Sequence, residues 1–485
     1  MSDLLDLPDL AGERFGGTVI ACSDDFFGSA RRLLHAAAPV SRKGTFDENG
    51  QWMDGWESSR RRDGRDDDWA LVRLGAPGII RLAVIDTSFF DGNQPSSALL
   101  QGACVAGNPS PAEVLAAEWT DLLADVDLHP DRVHVLPLEP TVRVTHVRLT
   151  IRPDGGVARL RLHGVAVPDP ASFDGVTVDL ASAQLGGEVV ACSDMHFGRR
   201  TNLIAPGESR VMADGWETRR RRGAGYDWAL VRLAGEGSIR RLVIDTRLFR
   251  GNAPASCDVE TSAAADGPWQ PLLSDVRLQP DQAHDLSVGP LTGTARWVRL
   301  SVHPDGGVSR LRVLGDLTAT GRRELATSWL ATSPPSVLRL ILLQACGSQR
   351  WVDAMVASAP WPQGVLEAAA EAWAALGPED WREALAAHPR IGDRTPAGSQ
   401  ESREQSATAG ADGALLAEIA AGNLAYEDRF GMTYVVRASG RSLEELLAIL
   451  RSRMDNAAED ELVVAAAEQA EITALRLDRL LDGTG

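Results

Sequence analysis

The feature that most constrains this chain is that its first 315 residues carry one pattern twice. VIACSDDFFG at Val19 to Gly28 returns as VVACSDMHFG at Val189 to Gly198, and MDGWESSRRR at Met53 to Arg62 returns as MADGWETRRRR at Met212 to Arg222. DWALVRL recurs at Asp68 and Asp227, IDT at Ile85 and Ile244, and PDGG followed by an RLR strand at Pro153 and Pro304. The offset falls from 170 residues (Ala21 to Ala191) to 151 (Pro153 to Pro304), so fixed blocks are separated by deletions. Solenoid repeats are only roughly 20 to 50 residues long, so this is a tandem domain duplication. The polar residues that both copies keep therefore call for an explanation beyond core packing.

Within each copy the apolar residues alternate or form short β-branched runs, such as GTVIACS, ALVRL and THVRLTI, with Gly, Pro, Asn and Asp at short intervals. That is the pattern of antiparallel strands joined by turns, and each copy reads as a β-sandwich. In PDGG, Pro presets φ while Asp and Gly supply positive φ ahead of the last strand. After Arg322 the period changes to apolar residues three and four apart, over Val365 to Leu376, Leu415 to Tyr426, Leu443 to Met454 and Glu459 to Leu481. Pro334 and Pro335 precede these stretches, and Ser442 with Glu445 spells a capping box. The expected organisation is multidomain: sandwiches over 1–168 and 169–318, then an all-α domain over 325–485 interrupted by a Gly/Ser/Thr-rich stretch at Gly392 to Gly413.

A balance of 49 basic against 67 acidic residues, net −18, argues against a partner made of nucleic acid. Five cysteines without a CxxC pair point to reduced thiols and a cytoplasmic location, with Cys22 and Cys192 as core thiols at the same repeat position. The N-terminus lacks the basic and apolar regions of an export signal, and the longest apolar run, near Val337 to Ala345, is too short to cross a bilayer.

The duplicated polar residues are candidates for chemistry. Asp54, Trp56, Glu57 and Arg60 to Arg62 in copy one, and Asp214, Trp216, Glu217 and Arg219 to Arg222 in copy two, form a set that can hold a small, amide-rich carboxylate, with Arg forking to the carboxylate. A solvated salt-bridge face explains them equally well. Asp68 and Asp227 lie close enough in sequence to complete the set. Asp86, Thr87, Asn93 and their partners Asp245, Thr246, Asn252 read first as strand-end turn chemistry. Arg159 and Arg161, like Arg310 and Arg312, alternate on a strand and share a face as a cationic stripe. His196 and His303 have no metal-ligand spacing.

Together the ACSD, DGWE plus arginine, DWALVRL, IDT and PDGG blocks resemble the allantoicase family over roughly Gly16 to Gly315. The resemblance implies two jelly-roll (galactose-binding-like) sandwiches and hydrolysis of allantoate to ureidoglycolate and urea. It places Arg61 or Arg221, with Trp56 or Trp216, on the substrate, and Glu57 or Glu217 and Asp68 or Asp227 in proton transfer; a divalent metal is left open. Two departures are Asp67 and Tyr226, where the family often has His, and Ser58-Ser59 against Thr218-Arg219.

HPRIG at His388, EQ at Glu404 and Gln405, YEDRFGMTYVV at Tyr426 and the RxxN helix at Arg453 resemble the 2-oxo-4-hydroxy-4-carboxy-5-ureidoimidazoline (OHCU) decarboxylases from about Leu325 to Leu481. That family is all-α, needs no cofactor and makes (S)-allantoin. The departures are RIGD at Arg390 to Asp393 and MTY at Met432 to Tyr434. The resemblance gives His388 and Glu404 catalytic roles and Gln405 and Arg453 substrate contacts; the bland reading of His388 is a helix cap. The expected protein is a bifunctional ureide-catabolism enzyme acting on allantoate and OHCU, open to homo-oligomerisation and to association with a separate allantoinase that opens the ring between the two steps. The rival is a sandwich protein that binds a ligand without turning it over.

Overall fold

A computed structural model of the 485-residue chain describes every residue except Met1, Asp63, 140–141, 290–292, 389–412 and Gly485. The chain divides into two units, Met1–Thr332 and Ser333–Gly485.

In each repeat of the first unit one strand of 19 residues organises the rest, Asp68–Asp86 in repeat one and Asp227–Asp245 in repeat two. Its first third pairs with Thr18–Cys22 on one side and Val144–Arg152 on the other. Its last third pairs with Arg159–Ala166 and Val133–Pro137. One strand thus enters both layers of the sandwich, and the ladder breaks where it bends, between Arg73 and Gly78. Repeat two reproduces this with Glu188–Cys192, Ala295–His303, Arg310–Leu317 and Ala283–Ser287. Ala70, Val72, Leu149, Leu160 and their counterparts Ala229, Val231, Leu300, Leu311 alternate inward, and one apolar core runs through both repeats. Burying such side chains stabilises by about 1.5–3 kcal/mol each.

Arg14 pairs with Asp214, and Gln184 Nε2 donates to Phe15 O at 2.7 Å, so the repeats are also tied by polar contacts. Cys22 packs against the core, and burial pushes its thiol up to about 11, as expected of an inert core cysteine.

The helix Ala319–Ala331 belongs to the first unit, which corrects the boundary drawn from sequence at 325. Arg322 bonds Asp174 at 2.8 Å, Leu330 is fully buried, and Arg143 N donates to Thr332 O at 2.6 Å. Its polar surface and short apolar stripe looked like the start of the helical region because helical period alone does not say what a helix packs on.

The second unit is helical: Pro335–Ala345, Gln349–Ser358, Val365–Ala374, Pro378–Ala386, Gly413–Phe430, Leu443–Arg453 and Ala458–Asp482. The Ser442 and Glu445 capping box forms as the sequence requires. Tyr426, Tyr434, Leu446, Leu450 and Leu462 fill its core. No described helix is long and apolar enough to cross a membrane.

Candidate functional site

The two-residue strand Trp56–Glu57 pairs with Gly156–Val157, and Trp216–Glu217 pairs with Gly307–Val308. This pairing carries the DGWE segment across the chain to the PDGG turn at one end of the sandwich. There the five duplicated blocks meet. Asn93 Nδ2 donates to Glu57 Oε1 at 2.9 Å, and Asn252 Nδ2 to Glu217 Oε1 at 2.6 Å. Ser23 Oγ donates to Asp68 Oδ1 at 2.6 Å, and Ser193 Oγ to Asp227 Oδ1 at 2.9 Å. Arg61 and Arg221 form ion pairs with those same aspartates. The backbone N–H of each arginine donates to the turn aspartate, Arg61 to Asp154 and Arg221 to Asp305, both at 2.7 Å.

Electrostatics divide the acidic groups. Burial pushes the Glu57 carboxyl above its ordinary range, the Asn93 bond opposing only in part. Burial also works against ionised Asp24, but Phe26 N–H, both donors of Ser59 and the Arg61 charge carry its carboxyl below the usual value. In repeat one a protonatable Glu and a fixed carboxylate therefore stand in one site, the arrangement that acid-base chemistry uses.

Several residues read from sequence take other places. Trp56 and Trp216 are fully buried, each indole N–H donating to the carbonyl of Asp24 or Asp194, so they support the site and present no face to a substrate. Asp68 and Asp227 are 0% and 1% exposed, and each is engaged by a serine and an arginine. Asp54 accepts from Arg159 Nη2 at 2.9 Å, and Asp214 accepts from Arg210 N at 2.9 Å. Both acids stay with loop structure. The cationic stripe is consumed likewise: Arg159 and Arg310 donate to loop carbonyls including Asp54 O and Asp214 O, and Arg161 and Arg312 to Ala36 O and Ala205 O. Thr87 and Thr246 bond the carbonyls of Arg132 and Gln282, as turn residues do. Arg60, Arg62, Arg220 and Arg222 are exposed and fit the solvated-face reading.

Sequence reasoning missed Asn93 and Asn252 as holders of the glutamates, and Ser23, Asp24, Asp154 and their copies as the frame around the arginines. Their signal was present, since all lie in the duplicated blocks. Among the described residues no three His, Cys, Asp or Glu side chains converge as a metal ion requires.

In the second unit His388 follows the helix Pro378–Ala386, is half-buried, and its N–H donates to Leu385 O at 3.2 Å. Glu404 and Gln405 lie outside the described residues. Arg453 is 5% exposed: Nε donates to Glu461 Oε1 at 2.7 Å, Nη1 to Val435 O at 2.8 Å and Nη2 to Tyr426 OH at 3.2 Å. Asn456 Nδ2 holds the other oxygen of Glu461 at 2.6 Å. The RxxN pattern thus has an interior task, joining two helices, beside the substrate contact expected of it.

Fold and site together define a tandem jelly-roll protein with two copies of one carboxylate and guanidinium site, followed by a helical unit. Residues 8–167 and 178–318 match the family model of the allantoicase repeat, and residues 332–478 match that of OHCU decarboxylase. The chain belongs to the allantoicase family and carries an OHCU decarboxylase domain, making it a bifunctional enzyme of purine and allantoin catabolism. A "Probable allantoicase" of Pseudomonas aeruginosa (strain UCBPP-PA14) is 44% identical over 325 residues, 63% of this chain and 95% of that protein. One from Nocardia farcinica (strain IFM 10152) is 44% identical over 313 residues, 64% and 95% of the two chains. The crystal structure of allantoicase from Saccharomyces cerevisiae is similar at a TM-score of 0.55 and 31% identity, covering 65% of this chain and 96% of that one.

Proposed function

We propose that the first unit expels urea from allantoate by letting one glutamate serve as acid and then as base. The observation that carries this is the paired site itself: Glu57 or Glu217 held through Oε1 by an asparagine, beside an arginine held by a buried aspartate. The arginine grips the substrate carboxylate with the planar fork that suits it. The glutamic acid protonates the leaving ureido nitrogen through Oε2 as the carbon–nitrogen bond breaks, and the lone pair of the remaining ureido nitrogen stabilises the cationic carbon. Water adds to that carbon and returns its proton to the glutamate. Urea and ureidoglycolate leave, and the enzyme is restored.

In the second unit His388 delivers the proton that replaces CO₂ on OHCU, aided by Glu404, with Gln405 and Arg453 on the substrate and no cofactor. A separate allantoinase supplies the ring opening between the two steps. The five free cysteines favour a cytoplasmic setting.

The test follows urea release from allantoate, with and without a chelator, alongside CO₂ release from OHCU. Replacing the working glutamate by Gln removes urea release while CO₂ release persists, and His388→Ala slows CO₂ release by about 10² to 10⁴ while urea release persists. If Glu57→Gln and Glu217→Gln each leave urea release intact, the glutamate role is wrong.

A further inference from the structure

We propose that repeat two is the productive allantoate site and that repeat one is a closed, electrostatically unsuited copy; this rests on the allantoicase reading above. The two sites share the bonds that hold the glutamate, the buried aspartate and the arginine backbone, so the difference must come from what surrounds them. The arginine is the first contrast: the Arg61 side chain is 7% exposed and that of Arg221 is 32% exposed, although each pairs with its aspartate. Ser193 is exposed where Ser23 is half-buried. A substrate carboxylate can approach Arg221 without the site opening.

Charge at the mouth is the second contrast. Repeat one carries Asp25, Asp66 and Asp67, where repeat two has Met195, Gly225 and Tyr226. It has Ser59 and Phe26 where repeat two has Arg219 and His196. Asp25 and Asp66 are exposed, so their field falls on an arriving ligand. Arg219 is exposed as well, and its Nη2 lies 3.2 Å from His196 Nδ1, which holds it over the same loop. In repeat one Ser59 spends both its backbone and hydroxyl donors on Asp24, at 2.8 Å each, and brings no charge. Allantoate is an anion. Each loop carries four arginines, Arg60 to Arg62 with Arg65 and Arg219 to Arg222, but Asp25, Asp66 and Asp67 offset those of repeat one alone, and fields of this kind change local substrate concentration by tenfold or more.

The closed state of repeat one still has a use. Its buried Arg61 and Asp68 tie the DGWE loop to the long strand, which preserves the fold without asking the site to turn over.

The experiment uses the full chain and two variants outside the proton-transfer machinery, Arg219→Ser and the double variant Asp66→Asn, Asp67→Asn. KM and kcat for allantoate are measured at low and high ionic strength. Arg219→Ser is expected to raise KM about tenfold at low salt, with a smaller rise at high salt because screening already weakens the wild-type attraction. The double variant is expected to leave both constants unchanged. A KM that falls in the double variant, or one that Arg219→Ser leaves unchanged, overturns the proposal. If the wild-type chain releases no urea, the allantoicase reading fails instead. Calorimetric titration with allantoate then compares the same variants, and unaltered binding by Arg219→Ser overturns the assignment of the site.

Discussion

The surroundings of Glu57 disfavour its charged form. Desolvation raises its folded-state carboxyl pKa above the unfolded value, so the native state binds the extra proton between those two values and loses stability as pH rises through that window. Below the unfolded value, both states are protonated and the penalty is absent. Glu57→Gln keeps an Oε1 acceptor for Asn93 and removes the charge, so it is expected to stabilise the chain at neutral pH and to be near neutral at pH 4. Denaturant midpoints of the two proteins at both pH values check this, and a gap as large at pH 4 as at pH 7 counts against it. The glutamate itself was legible in the sequence because it recurs in both copies. Its asparagine recurs too, but their pairing was not legible, since Asn93 is 36 residues away and an Asn after Gly reads locally as a turn. Trp56 misled for a related reason: an aromatic beside an acid looks like a ligand platform, and only burial shows that the indole faces inward.

At the scale of elements, the PDGG turn links chain geometry to the site. The sequence suggests positive φ at both Asp and Gly, but only Gly155 and Gly306 adopt it, at 124° and 134°, and the aspartate is free to accept the N–H of the arginine instead. A Cβ on Gly306 would stand 2.5 Å from Asn252 O. Asn252 is the residue whose side chain holds Glu217. Gly306→Ala is therefore expected to cost about 1–3 kcal/mol through the strained backbone and to lower urea release at least tenfold by moving Asn252. Gly155→Ala meets Asn93 O at 2.4 Å and carries a similar stability cost with a smaller loss of rate, if repeat two does the work. Melting temperatures and urea release on both variants separate the two effects; equal rate losses would place the working site in both repeats. Strand alternation and turn residues made the sandwiches legible, whereas the bend of the long strand between layers was not, because both of its ends show the same alternation.

At the scale of the molecule, the boundary decides what each activity needs in order to stand alone. The repeats end at Leu317, but the helix that follows completes their unit, with Ala326 1% and Leu330 0% exposed and Arg322 bonded to Asp174. Removing it strips an apolar face from the long strand of repeat two, next to Gly321, where an added Cβ would stand 2.2 Å from Glu236 O. Burying Leu330 alone is worth about 2 kcal/mol, and the Arg322 pair and the Arg143 contact with Trp329, 5.1 Å from guanidinium carbon to ring centre, add to it. A chain ending at Thr332 is expected to fold and to release urea at the rate of the full enzyme. One ending at residue 318 should melt at least about 3 °C lower, the shift that a loss of two or more kcal/mol produces in a domain of this size. Thermal melts of the two truncations measured side by side decide the matter: equal melting points would mean that the helix is an ornament of the first unit, and that the sequence boundary near 325 was the better one.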